Sequence, residues 1–329
     1  MQAQGLRELI RLCRHLGKDP LLVQAGGGNV SVKIGGGLLI KASGLRLDEV
    51  GPRRGWARAD LQTLRKGLAG VGRLRTPLSR DRAYARLLTR AGRTPGRRIS
   101  MEAGFHAALE DRCVAHVHSA AGILLGMLPE RRIRRLLGPG TGYRSVGADI
   151  PGADLTLSMA GTRTPARAHA RAYGAGLWIL RNHGLVWEGE SGPAILRAAG
   201  RLEKRLRRAF RLGRYPIPKP IRVLSDRYAL RFHDWPDCRF DFRPLFPDFT
   251  VYFRTWDGSP GPFLEKVSSR EVLIRASGEE DLRAKVETFY VHALISTASR
   301  PPRRLPRAAG RAIAGLESER LRLKQGGRK

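Results

Sequence analysis

Cys113-Val114-Ala115-His116-Val117-His118 is the stretch on which the fold turns. Side chains along a strand alternate between its faces, so Val114, His116 and His118 share one side while Cys113, Ala115 and Val117 take the other. Two imidazoles at that spacing can converge on one ion. Taken alone, His-x-His is more often two ordinary histidines, so its neighbours have to carry weight. The run that follows, Ala120–Leu128, reads as a helix that Pro129 interrupts. Ahead of it, Ser100 is expected to N-cap a helix whose buried side carries Phe105, Ala108 and Leu109.

Outward from that centre the chain keeps alternating. Gly5–Leu16 places Leu6, Leu9, Ile10, Cys13 and Leu16 at helical spacing, with Gly17 as its C-cap. Ala25-Gly26-Gly27-Gly28-Asn29-Val30-Ser31-Val32, then Gly35–Gly37 and Leu38-Leu39-Ile40, read as two short strands joined by a glycine turn. Gly51–Pro95 is Arg-rich and broken by Pro and Gly, and is expected to be mostly surface loop with short elements. Leu177–Leu180 is a second buried strand, ending at Asn182-His183-Gly184. Pro193 suits the first turn of a long helix carrying Ile195, Ala198, Ala199, Leu202, Leu206 and Phe210. Strands alternating with helices predict an α/β layered core.

Composition shifts at Tyr215-Pro216-Ile217-Pro218-Lys219-Pro220, which divides residues 1–215 from an accessory α/β region at 221–329. Beyond it, Thr250–Phe253 and Glu271–Ile274 look like strands, Glu279–Ser299 like a helix, and Arg300–Lys329 like a basic, partly helical or frayed tail.

The formal charge of +32 could favour anionic ligands such as sugar phosphates. Most of the 61 basic residues are Arg, scattered along the whole chain with no basic stripe and no groove-reading motif, so no specific nucleic-acid partner is expected. No apolar run is long enough for a membrane helix, and no signal peptide is visible. Cys13, Cys113 and Cys238 are isolated thiols, which fits reduced cysteines in a cytoplasm.

Several residues add chemistry to the histidine strand. His183 ends a strand before a glycine and could be a third imidazole ligand, leaving a position open for water or substrate. Glu102 begins the preceding helix. A carboxylate beside a metal-bound carbonyl is a suitable general base, although its position alone also suits a helix-dipole partner. His106, one turn on, reads as structural. Gly26–Gly28 fits neither a dinucleotide fingerprint nor a P-loop, though small residues with Asn29 and Ser31 let backbone N–H groups approach an anion. His233 and Cys238 lack neighbours that would complete a site.

In this order, Gly28-Asn29-Val30-Ser31-Val32, Leu39-Ile40-Lys41-Ala42-Ser43-Gly44, Ser100-Met101-Glu102 with His106, His116-Val117-His118 and Arg181-Asn182-His183-Gly184 resemble the class II aldolase/adducin family over about residues 5–212. The resemblance implies a three-layer αβα core with a mixed sheet, here followed by a smaller C-terminal α/β region, usually assembled as a homotetramer with active sites between subunits. It implies Zn2+, with Mn2+ as an alternative, on His116, His118 and His183; Glu102 as the acid/base; and Asn29, Ser43, Gly44 and Ser100 around a substrate phosphate. Lys41 matches a recurrent residue to which no role is assigned. Glu at 102 fits aldolases and related dehydratases and decarboxylases better than the pentulose-phosphate 4-epimerases, which carry Asp there. Structural adducin-like members lack the metal histidines that this chain keeps.

Two departures stand out. Met101 occupies the place of a second hydroxyl in sugar-phosphate aldolases, and the tyrosine that such enzymes bring from a neighbouring subunit has no clear match, Tyr143 being the nearest. Leu245–Phe253 is similar to a segment of longer relatives related to rhamnulose-phosphate aldolase/dehydrogenase fusions, without their nucleotide-binding half. The function implied is a metal-dependent lyase that cleaves a phosphorylated ketose by a retro-aldol step through a metal-stabilised enediolate. The alternatives are a dehydratase, decarboxylase or epimerase using the same metal site, or a basic non-catalytic scaffold.

Overall fold

The computed structural model describes residues 2–162, 171–212, 217–232, 242–298 and 303–316. Tyr215, Pro216, His233, Cys238 and most of the basic tail lie outside the described residues.

The chain opens with α1 (Gln2–Gly17), the hairpin β1 (Asn29–Ile34) and β2 (Gly37–Lys41), and then β3 (Trp56–Asp60). α2 (Leu61–Gly72), α3 (Pro77–Ala91) and the short α4 (Ala103–Ala108) lead to β4 (Cys113–Val117). Next come α5 (Ala120–Met127), α6 (Glu130–Leu137), β5 (Arg144–Val146), α7 (Ala153–Gly161) and β6 (Arg171–Ala172). A second hairpin, β7 (Ala175–Leu180) and β8 (Gly184–Gly189), is followed by the long α8 (Gly192–Ala209). The C-terminal region holds β9 (Ile221–Leu224), β10 (Arg227–Arg231), α9 (Pro247–Phe253), β11 (Leu264–Lys266), β12 (Glu271–Arg275), α10 (Glu279–Ala298) and α11 (Arg307–Gly315).

β4 lies in the middle of a mixed sheet ordered β3-β2-β1-β4-β8-β7-β5, with β6 paired to β7. Only the β5–β7 pairing is parallel among the described strands. The period-two reading of β4 is visible in its packing. Cys113, Ala115 and Val117 face the core beneath α1, α5 and α8, whereas Val114 faces Phe105, Trp178 and Val186 on the other side. That second face is covered by α2, α3, α4 and α7, which completes three layers. β4, β7 and β8 are buried on both faces, so apolar residues occupy both faces of each strand instead of alternating with polar ones.

Gly51–Pro95 differs from the loop expected: it forms β3 and two full helices. The reason lies in stripes that the arginines obscure. Leu64, Leu68 and Val71 line one side of α2, and Tyr84, Leu87, Leu88 and Ala91 one side of α3. Asp60 caps α2 by accepting from Thr63 N at 2.7 Å, and Thr76 caps α3 ahead of Pro77. Arg is itself a good helix former, so a run rich in it need not be loop.

Thr250–Phe253 is also corrected, from strand to the end of helix α9. Every residue from Pro247 to Phe253 is buried, so no solvent face exists to mark a period. Pro247 pre-sets the first turn. Phe249 and Phe253, four apart, then pack together at 4.9 Å and against Phe289 of α10, while Phe249 stacks on His292 at 3.7 Å. A buried ring of this size stabilises by about 1.5–3 kcal/mol. The C-terminal four-stranded antiparallel sheet, β11-β12-β10-β9, carries α10, which also packs against α5. Phe246, Phe249 and Phe289 belong to the same continuous apolar cluster as Leu9 and Leu12 of α1. No helix among the described residues is long and apolar enough to cross a membrane.

Candidate metal centre

The β4–β8 register pairs His116 with Val186 and Val117 with Leu185, so the residue just before β8 arrives beside the end of β4. That residue is His183. The tight β7–β8 turn reaches it through Asn182 at φ 58° and Gly184 at φ 153°. Only glycine suits position 184: a Cβ there would lie 2.2 Å from the Val117 carbonyl. The three rings of His116, His118 and His183 form a nearly regular triangle, with centroids 4.7, 4.9 and 4.9 Å apart. Each offers a ring nitrogen, and these nitrogens all lie within 4.8 Å of one another.

The hydrogen bonds behind the rings decide which nitrogens face inward. His116 Nδ1–H donates to the Leu185 carbonyl at 3.0 Å, and His118 Nδ1–H to Asp248 Oδ2 at 2.5 Å. Their Nε2 atoms then meet at 3.0 Å with lone pairs opposed. Burial pushes the His116 pKa down to about 4, Glu102 opposing, so the ring is neutral near pH 7. Two lone pairs at that distance repel unless something positive lies between them. Two nitrogens on one tetrahedral zinc-type ion stand about 3.3 Å apart, close to the observed spacing. The donor set therefore fits a divalent cation.

Glu102 closes the open side. Its Oε1 lies 3.6 Å from His116 Nε2 and 3.7 Å from His183 Nε2, and its Oε2 accepts from Asn29 Nδ2. Ser100 is not the N-cap expected of it, because α4 begins only at Ala103. Its Oγ instead accepts from Glu102 N at 3.2 Å and Asn29 Nδ2 at 3.1 Å, locking the approach to the helix. Glu102 sits at the N-cap position without capping, its carboxylate turned to the histidines.

Asn29, Ser43, Gly44 and Ser100 line one cleft together with Glu102, His118 and His183, and Met101 forms part of its wall. The cleft spans about 420 Å³ of space continuous with solvent. His116 lies under it, fully buried. Lys41 donates to the Gly26 and Gly28 carbonyls at 2.8 and 3.0 Å, so it shapes the glycine loop. His106 is core: it is fully buried, 2.7 Å from Ser31 Oγ, stacked on Phe105, and burial holds its pKa well below the usual histidine range. Tyr143 donates to Glu130 at 2.5 Å, and among the described residues no tyrosine lines the cleft.

Pro247 and Asp248 also line it. Asp248 is the site residue that sequence reasoning missed. Leu245–Phe253 carries a resemblance to longer relatives, but nothing in it marks Asp248 as the partner of a histidine 130 residues away.

The sequence profile described as the class II aldolase and adducin N-terminal domain matches residues 7–210. Among solved structures, the N-terminal class II aldolase domain of a conserved protein from Thermoplasma acidophilum is 24% identical. That match covers 61% of this chain and 92% of that one, with a TM-score of 0.51. An L-fuculose-1-phosphate aldolase from Thermus thermophilus is 19% identical over 64% of this chain and 96% of that one, with a TM-score of 0.41. A sugar-phosphate aldolase from Thermotoga maritima is 19% identical over 65% and 98%, with a TM-score of 0.42. No curated protein sequence gives a match.

Proposed function

The chain belongs to the class II aldolase and adducin family, and from that premise we propose that it is a metal-dependent lyase that splits a ketose, phosphorylated at one end, by retro-aldol cleavage. One observation carries this reading: three imidazoles and one carboxylate meet at the floor of a single cleft. His116, His118 and His183 would hold Zn2+, or Mn2+ in its place. When bound, the ion supplies a fixed positive charge that polarises substrate oxygens and offsets negative charge developing as the carbon–carbon bond breaks.

The chain's own groups do the rest. Glu102 has one oxygen held by Asn29 and the other aimed at the histidines, so it gives or takes the proton on the carbon beside the carbonyl. Ser100 Oγ accepts two hydrogen bonds, which leaves its own O–H as a donor toward a ligand. With Asn29, Ser43 and the left-handed Gly44 it makes the polar end of the cleft, suited to a phosphate. Assembly as a homotetramer would bring the missing proton donor from a neighbour.

Met101 favours a second reading. It removes a hydroxyl from the polar end, which suits a related substrate undergoing dehydration, decarboxylation or epimerisation on the same site. Product mass separates these outcomes. With a panel of ketose phosphates, cleavage yields two fragments, dehydration loses water, decarboxylation loses carbon dioxide, and epimerisation leaves mass unchanged. Turnover is expected to vanish with chelator and return with Zn2+ or Mn2+. Full turnover in metal-free protein would reject both readings.

A further inference from the structure

We propose that Asp248, from the C-terminal region, is a positioning residue for the metal centre: it fixes the ring and tautomer of His118, so that the ion site is complete only with α9 in place. This rests on the metal reading above and extends it to residues beyond the matched family domain.

Three observations carry it. First, the Asp248–His118 contact is short, at 2.5 Å, and both side chains are almost wholly buried, 2% and 4% exposed. By accepting the Nδ1 proton, Asp248 leaves Nε2 as the nitrogen turned to His116. His116 has only a backbone carbonyl behind it, so the two rings differ in the support they receive. Second, the space between Asp248 and His118 is reserved. A Cβ on Gly27 would lie 2.6 Å from both Asp248 Oδ2 and His118 Nδ1, so the glycine lets the helix and the strand end meet. Third, α9, α10 and the segments flanking them hold the glycine loop and the turn that carries His183. Tyr252 Oη accepts from Gly26 N at 3.1 Å, and Glu287 of α10 accepts from Ala25 N at 2.9 Å while pairing with both Arg46 Nη atoms. Asn182, next to His183, donates to the carbonyls of Leu245 and Arg303.

The rival explanation is that Asp248–His118 is a buried polar pair serving stability alone. Such a pair, once desolvated, is a poor source of net stability. The two explanations part on metal affinity. Carboxylates behind a metal-bound histidine commonly govern affinity by tenfold to a hundredfold.

The test uses the full chain, stripped of metal and titrated with Zn2+ against a competing chelator, in wild type and in Asp248→Asn, Asp248→Ala, Glu287→Gln and His116→Ala. The Asp248 variants are expected to bind about 10–100-fold more weakly, Ala at least as weakly as Asn. Asp248→Asn is expected to keep the metal-free melting midpoint of wild type, and its Co2+ spectrum should be altered. Glu287→Gln, which loosens the clamp without touching His118, should lower the midpoint and keep the affinity. Wild-type affinity in both Asp248 variants, with affinity lost in His116→Ala, would overturn this proposal alone. A wild type that binds no Zn2+ would overturn the metal reading with it.

Discussion

The two sides of the candidate centre are built by different means. On the sheet side, His116 and His118 come from β4 and His183 from the β7–β8 turn, and their meeting follows from backbone register. On the helix side, Asp248 reaches across from α9 and is held by side-chain packing and a single hydrogen bond. Register tolerates little variation, because a slip of one residue turns every side chain to the other face. Packing contacts can be loosened one at a time. Changes on the sheet side should therefore abolish the site, and changes on the helix side should weaken it.

The largest effect is expected at the edge of the sheet side. Glu102→Gln keeps the size and the Asn29 neighbour but loses the base, so turnover should fall by about 10²–10⁴-fold with Zn2+ still bound. A Glu102→Gln enzyme turning over at the wild-type rate would remove the carboxylate from the chemistry and leave the comparison to rest on the histidines alone.

Acid should expose the same asymmetry in the metal-free protein. His116 is held neutral by burial, its pKa taken from 6.5 down to about 4. A folded pKa below the unfolded one gives stability that is complete above pH 6.5 and is lost as pH falls through about 4. The shift corresponds to about 3 kcal/mol. Denaturant melts of the metal-free chain should show that loss across this window, with a smaller slope in His116→Gln. An equal slope in both would mean that His116 is not the buried neutral group described.

Gly27→Ala should give the smallest effect. It crowds Asp248 and His118 without removing either, and Zn2+ affinity should drop roughly tenfold, comparable to loss of an outer hydrogen bond. Unchanged affinity in chelator competition would show that α9 yields freely, making the helix side looser than its packing suggests.

The same division governs what the sequence shows by itself. The histidine strand, the glycine hairpin, the turn at Asn182–Gly184 and the helix behind Pro193 follow local rules of alternation, glycine and proline, and each lies where those rules place it. The order of motifs along residues 7–210 likewise points to the family that the profile match shows. Elsewhere local rules fail for identifiable reasons. In α2 and α3 the apolar stripes are diluted by arginines that a helix tolerates well. In α9 burial on every side erases any period, and aromatic and β-branched residues mimic a strand. Ser100 looks like a cap because its hydroxyl does bind a nearby backbone N–H, but that of Glu102, before the helix begins. Asp248 is invisible because its meaning depends on a contact 130 residues away.

The central claim is that His183, carried in by the β7–β8 turn, completes one divalent-metal site with His116 and His118. Metal content of the purified full chain, measured by elemental analysis in wild type and in a folded His183→Ala variant, tests it most directly. About one zinc or manganese ion is expected per wild-type chain and almost none in His183→Ala. Equal metal content in the two proteins, or a wild type that neither carries nor takes up such an ion, would contradict it.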